Sequence, residues 1–330
     1  MYLFYFIYYL SRQIFVAITK LKATEQWGKS YLISLENEFK GKFDKDVIHK
    51  VSKFQSIHLH FVLNNYSGLY GRLNNKLEEE MNLQFLLMSV LYDALIDEEK
   101  IDEKKLNELF YNPEKANPSS FNQIVLIYIH TQLLNKVKDK EGYWNVLQQI
   151  HKAQKDSQLQ FDPNTDSNTI IDITKRKGGY SLLMSRHYLM DPSDLRIDQC
   201  WYELGGLIQM TNDLFDTYKD AQSGIKTFAN SSKSFNEIET IFYAQIKALK
   251  ASIINLPFSH FKKWRFAINT SFIIAFGEIA INQIRRLATN TDSLPNFKDV
   301  NRKDLIIDME KTVNKLRLIR FAFKNGKLWT

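Results

Sequence analysis

The chain has 330 residues, 44% of them hydrophobic, with 12 glycines, 6 prolines and one cysteine. Turn residues this scarce disfavour an all-β or loop-rich chain, and a lone Cys200 excludes an intrachain disulfide framework or a CxxC zinc or redox pair, which fits a reducing, cytoplasmic setting. The net charge of +7 arises from 44 basic residues interspersed with 37 acidic ones, without a basic block, so nucleic acid is not an expected partner; the mild excess fits an anionic ligand and an anionic membrane surface equally well and does not choose between them.

Residues 1–10 read MYLFYFIYYL, an unbroken apolar and aromatic run; Ser11, Arg12 and Gln13 interrupt it before IFVAI continues. The run is shorter than the roughly 20 residues a bilayer span needs, and it lacks the positive start of a signal peptide. Residues 1–22 therefore read in two ways. One is a first helix packed on the body of the protein. The other is an interfacial segment, with Tyr and Phe at the headgroup boundary and Arg12, Lys20 and Lys22 suited to anionic lipid.

Apolar residues recur at helical spacing in the rest of the chain. Helices are predicted over 46–66, 83–95, 123–134, 144–159, 169–189, 195–218, 235–254, 261–287 and 302–323. Loop signals separate several of them, among them Asn112-Pro113, Asn117-Pro118, Asp162-Pro163, Asp191-Pro192, Leu256-Pro257 and Leu294-Pro295. No run alternates with a period of two, no segment repeats, and no linker divides the chain. The expectation is an all-α fold: one domain over 1–330, a bundle of long helices around a deep apolar cavity.

Two acidic patches close apolar helices. In LYDALIDEE, Asp93 and Asp97 stand four apart on one helical face, with Glu98 and Glu99 following. In NDLFDTYKD, Asn212, Asp216 and Asp220 fall at i, i+4 and i+8 with Asp213 at their edge. Carboxylates sharing a face repel unless a cation lies between them. Every group here is a hard oxygen donor of the kind Mg²⁺ takes, usually together with substrate phosphates. The patches are about 120 residues apart. If their helices face each other, they form a cation clamp for a diphosphate, with something apolar behind it. Each patch alone also reads as a solvated helix end.

These residues resemble the class I isoprenoid synthases. Asp93-x-x-x-Asp97-Glu98 stands where that superfamily has its first aspartate-rich motif. QMTNDLFDTYKDAQSGIKTF is similar to both forms of its second motif. KRKGGYSLLMSRHYL, ELGGLIQMTNDLFD and KDAQSG are most similar to the bacterial large-terpene synthases of the tetraprenyl-β-curcumene synthase type. The likeness is clear over 171–228 and extends to 83–99.

The resemblance implies a class I terpenoid synthase fold and a Mg²⁺-dependent terpene synthase that ionises a prenyl diphosphate, usually with three ions. Asp93, Asp97, Asp213 and Asp216 would be catalytic, and Asn212 and Asp220 would join them as metal ligands. Lys175, Arg176 and Lys177 precede Gly178-Gly179, a pair expected to loosen or kink its helix. With Lys219, Arg317 and Arg320 they are the candidate diphosphate-binding cations; Arg186, Arg285 and Arg286 are weaker ones. Aromatic candidates for the cavity wall are Phe61, Tyr66, Phe85, Tyr180, Tyr188 and Phe215. His58, His60 and Cys200 read as structural.

Two other readings stay open. One is head-to-head coupling of the squalene/phytoene synthase kind, or chain elongation, on the same scaffold. The other is a helical isoprenoid- or lipid-binding protein without turnover. The sequence does not fix oligomeric state, a homodimer included, or whether the N-terminus contacts a membrane.

Overall fold

The computed structural model describes residues 2–97, 99–192, 194–289 and 292–327, with Asp97 described by its backbone alone. Among these residues the chain is all-helical and has no strand; a single antiparallel bridge joins Ser234 to Ser293. The α-helices run α1 Tyr2–Thr19, α2 Leu21–Phe39, α3 Lys45–Ile57, α4 Asn64–Leu69, α5 Lys76–Asp97, α6 Glu103–Tyr111, α7 Phe121–Lys136, α8 Lys140–Asp156, α9 Ser167–Arg186, α10 Leu195–Phe215, α11 Thr217–Ser223, α12 Phe228–Ser231, α13 Phe235–Asn255, α14 His260–Arg285, α15 Arg302–Leu305 and α16 Thr312–Lys327. A π-helical turn, His58–Leu63, joins α3 to α4, and a 3₁₀ turn, Ser157–Phe161, extends α8.

Helix starts follow local chemistry. Asp44, Asp102, Ser120, Asp194 and Ser234 each accept a hydrogen bond from a backbone N–H in the first turn that follows, which satisfies a donor that the helix itself leaves unpaired.

Each stretch predicted from apolar spacing is largely helical, with shifted ends, but three are divided: 46–66 by the π-helical turn, 195–218 at Asp216, and 302–323 into α15 and α16 across residues 306–311. Helices α2, α6 and the four-residue α12 were not predicted. In α2 the buried positions are Gly28, Leu32, Leu35 and Glu36, so a glycine and a charge occupy part of the apolar stripe and hide its period. Glu36 belongs there because it accepts from the Phe43 backbone N–H at 2.9 Å and from Lys42 Nζ at 3.0 Å, closing the turn into α3. In α6 only Leu109 and Phe110 are buried, too few to show a period.

Contacts gather into two compact units: Met1–Phe6 with Glu141–Arg186 and Pro192–Thr330, and Ile7–Lys140 with His187–Asp191. The changeovers fall within α1, at the start of α8 and around the short loop after α9, so no linker composition marks them.

The unit built on Ile7–Lys140 packs α3 against α2 and α5, and α5 against α7. Its fixed point is an ion-pair cluster. Arg72 Nη2 lies 2.6 Å from both Glu78 Oε1 and Asp191 Oδ2, and the Met190 N–H adds a 2.7 Å bond to Glu78. Glu78 is fully buried. His58 shares a 2.9 Å hydrogen bond with Asn82 of α5, and His60 a 2.8 Å bond with Thr24 of α2. Both histidines thus fasten neighbouring helices. Burial pushes the His58 imidazole down to about 4, so it is neutral at physiological pH.

The other unit is organised on α10, which packs on α9, α13 and α14, while α14 packs on α16. Cys200, Trp201, Leu204, Leu207 and Met210 form its buried stripe. By length and composition α14 could cross a membrane, but most of it is buried as a core helix of this unit.

Gly178 and Gly179 do not interrupt α9, which is continuous from Ser167 to Arg186. They are instead its crossing point with α10. A Cβ on Gly178 would lie 2.3 Å from the Gly205 carbonyl oxygen, and one on Gly205 would lie 2.2 Å from that of Gly178. A Cβ on Gly179 would strike the Tyr202 ring at 2.5 Å. The sequence reading weighed the backbone freedom of glycine; at this crossing its lack of volume decides its use.

In an ordinary helix interior, Gly→Ala gains about 1 kcal/mol. Gly178→Ala and Gly205→Ala are expected to reverse that sign and destabilise by about 1–3 kcal/mol, the range for overpacking against atoms that cannot yield. Urea unfolding of each variant checks this. Arg72→Ala, which leaves the buried Glu78 charge without its partner, should cost about 3 kcal/mol in the same assay.

Candidate functional site

The second acidic patch lies where α10 passes into α11. The sequence places Asn212, Asp216 and Asp220 on one face of a single helix over 195–218, but α10 ends at Phe215 and α11 starts at Thr217. Asp216 sits between them with φ −90° and ψ 6°. Across the break, Thr217 Oγ1 donates to the carbonyls of Asp213 and Leu214, at 3.1 and 2.9 Å. The Asp216 N–H still reaches Asn212 O at 2.8 Å, and the Asp220 N–H reaches Asp216 O at 2.9 Å. The patch therefore bends without coming apart.

Its four members have different surroundings. Asp213 is buried. One carboxylate oxygen accepts from Thr174 Oγ1 of α9 and the other from Gln209 Nε2, both at 3.0 Å. Asn212 and Asp216 are exposed and Asp220 is half-buried. Burial pushes the Asp213 carboxyl up to about 6, helped by the negative charge of Asp216 and opposed by those two hydrogen bonds and by Lys177. Burial, then Asp213 and Asp216, push Asp220 up to about 7, with Lys219 and Lys177 opposing. The carboxylates thus feel one another, and two lysines offset part of their repulsion.

The basic triplet before the glycines divides by role. Arg176 is committed to structure: its Nε is 2.6 Å from Asp172 Oδ2 and its Nη1 is 2.8 Å from Asp156 Oδ2. Lys175 and Lys177 are half-buried. Among the described residues Lys177 has no hydrogen bond or ion pair, nor has the exposed Lys219, and both act on the carboxylates through their charge.

The remaining cations lie apart from this arrangement. Arg317 Nη1 donates to Asn314 at 3.3 Å and Arg320 is exposed; among the described residues neither bonds to the carboxylates. Arg186 pairs with Asp198 at 2.7 Å. Arg285 pairs with Glu239 and lies over the Phe235 ring.

The first acidic patch belongs to the other unit. Asp93 is exposed on α5; the Asp97 side chain and Glu98 lie outside the described residues. Glu99 holds the side chains at the start of α7, a role not read from the sequence. It accepts from Ser120 Oγ at 2.9 Å, Asn122 Nδ2 at 3.1 Å and Gln123 Nε2 at 3.0 Å. A carboxylate at a helix N-terminus is favoured by the helix dipole. The signal was the S-x-x-Q run at 120–123, which marks a helix start but does not name the distant acid that joins it.

As donors, the exposed Asn212 and Asp216 and the half-buried Asp220 fit Mg²⁺, which binds one or two carboxylates and completes its shell with water or phosphate. Asp213 fits less well, because both its oxygens are engaged. Among the described residues no group of three or more His, Cys, Asp or Glu side chains is arranged to hold a metal ion.

A pocket of about 440 Å³ opens nearby, between Phe161, Ala221, Gly224, Lys226 and Phe297. It lies among loops and short helices, not between the long ones, so it is not the deep chamber expected from the sequence.

Protein-family models, curated proteins and solved structures offer no match to this chain.

The carboxyl values carry a sign. Asp213 and Asp220 hold their protons more tightly in the folded chain, where they titrate near 6 and 7, than at their ordinary 3.8. The folded protein therefore retains protons that the unfolded chain has already shed. The stability this confers is complete below about pH 4 and is lost as pH rises to about 7. Asp220→Asn should raise Tm at pH 8 and leave it nearly unchanged at pH 4, as measured by calorimetry without divalent cations.

Proposed function

We propose that the protein is a Mg²⁺-dependent class I isoprenoid synthase of the terpene-synthase kind, acting on a prenyl diphosphate. One observation carries the reading: a cluster of three aspartates at the α10–α11 bend lies within the electrostatic reach of Lys177 of α9, which has no hydrogen bond or ion pair among the described residues. A carboxylate cluster of this kind calls for a cation, and a lysine held beside it calls for an anion. A metal–diphosphate ligand satisfies both. The likeness of residues 171–228 to the bacterial large-terpene synthases supports the same reading, as does the all-helical chain, which suits a class I terpenoid synthase fold.

Roles follow from the surroundings of each group. Asn212, Asp216 and Asp220 would hold the ion. Asp213, clamped by Thr174 and Gln209, ties α10 to α9 and adds negative charge from below. Lys177, and Lys219 from the exposed side, would bind the diphosphate and balance its charge as the carbon–oxygen bond breaks. Bound Mg²⁺ would act as a Lewis acid toward the leaving diphosphate. Asp93 and Asp97 enter the reading through the resemblance alone, as do Arg317 and Arg320. Arg176 stays outside it, held by Asp156 and Asp172.

The test is diphosphate release from prenyl diphosphates of 10 to 35 carbons, with and without Mg²⁺, with analysis of the hydrocarbon products. Release should require Mg²⁺ and fall about 100-fold or more in Asp216→Asn and in Lys177→Ala. Arg176→Ala should lower Tm and leave release per folded molecule within about threefold. Mg²⁺ alone should raise the Tm of the native chain at pH 8, by the stabilisation that any ligand of the folded state provides, and not that of an Asp216→Asn/Asp220→Asn double variant. Release that survives Asp216→Asn would overturn the metal assignment. Tight isoprenoid binding without release from any substrate would replace the enzyme with a carrier.

A further inference from the structure

Helix α1 has two apolar sides, and packing accounts for only one. On the inner side, Tyr2 donates a 2.7 Å hydrogen bond to the Phe323 carbonyl of α16, and Phe6 stacks on Phe272 of α14 with ring centres 5.9 Å apart. Phe6 and Tyr9 are buried. On the outer side, Phe4, Ile7, Tyr8, Ile14, Phe15 and Ile18 recur at intervals that keep one helical face, and all are exposed. Phe4 is 78% exposed and Ile18 74%. The only polar residue on that face is Ser11. A surface helix of a water-soluble protein turns a charged or polar face outward; this one presents large apolar side chains over nearly its whole length.

The charge pattern selects the partner. No acidic residue precedes Glu25, and the charged side chains before it are Arg12, Lys20 and Lys22. Lys20 and Lys22 are exposed, and Arg12 is half-buried. A second copy of the same face would bring like charges together. An anionic lipid surface offers hydrocarbon to the apolar stripe and phosphate to the basic groups, and the aromatic rings suit the headgroup boundary. We propose that α1 is a membrane-docking helix that lies in the interface of an anionic bilayer, with the face from Phe4 to Ile18 in the lipid and Arg12, Lys20 and Lys22 against its phosphates. It docks the folded protein without spanning the bilayer, and the assignment does not depend on the diphosphate reading.

Flotation of the full chain with vesicles tests this. Vesicles of 70% phosphatidylcholine and 30% phosphatidylglycerol should bind the native protein at least tenfold more tightly than phosphatidylcholine alone, and the preference should shrink at 0.5 M NaCl. Phe4→Ser/Phe15→Ser/Ile18→Ser should abolish binding to both vesicles while circular dichroism and Tm stay native, because all three side chains point away from the core. Arg12→Gln/Lys20→Gln/Lys22→Gln should remove the preference for phosphatidylglycerol and keep the weak apolar binding. The proposal is overturned if the native chain does not float with anionic vesicles, or if the Ser variant floats as well as the native chain. It is also overturned if sedimentation shows a dimer that the Ser variant dissociates while neither protein floats.

Discussion

The contact on which the candidate site depends is the crossing of α9 and α10 at Gly178 and Gly205. Each glycine occupies the space that a Cβ on the other would need, so the two backbones approach as closely as helices can. The helices run antiparallel, and Thr174, one turn before the crossing on α9, meets Asp213, two turns beyond it on α10. Lys177, adjacent to Gly178, is held beside the same carboxylates. A bulkier residue at the crossing would separate the helices and move Thr174 and Lys177 away from the aspartates. The site is thus positioned by the absence of side chains one turn away from it.

The same closeness gives the aspartates their character. Burial and mutual repulsion raise Asp213 and Asp220 together, while the cations within reach offset only part of the cost. A fold that tolerates such repulsion at one end of its central helix is poised to gain from a ligand that brings positive charge. Other charged groups of the chain have direct partners. Glu78 is held by Arg72 and two backbone N–H groups, Glu99 is held by the start of α7, and Arg176 lies between two aspartates.

Helix α1 shows a different imbalance. Its inner face is fixed by an aromatic cluster in which Tyr5 and Phe261 both lie against Trp264, while its outer face is as apolar as a core stripe. Both faces come from the same run of Tyr, Phe, Leu and Ile, so composition along the chain cannot separate them. Packing does, by covering one side and leaving the other exposed.

Much of the fold was legible in the sequence, because apolar spacing near 3.6 residues reports burial on one side of a helix, and the long helices α9, α10 and α13 carry that spacing. The sequence also determined which residues could do chemistry: Asn212, Asp213, Asp216 and Asp220 are the hard oxygen donors at the end of an apolar helix wherever that helix is placed. Helix α2 escaped because Gly28 and Glu36 take core positions whose worth lies in partners elsewhere, in packing on α3 and in the Phe43 N–H. Only the tertiary structure decided that Gly178-Gly179 is a close contact with α10, that Arg176 is spent on ion pairs while Lys177 acts on the carboxylates, and that Glu99 binds the side chains at the start of α7. The physical reason is the same in each case. Period and composition describe one chain segment against an unspecified interior or solvent, whereas volume, pairing and charge balance are properties of two segments brought together.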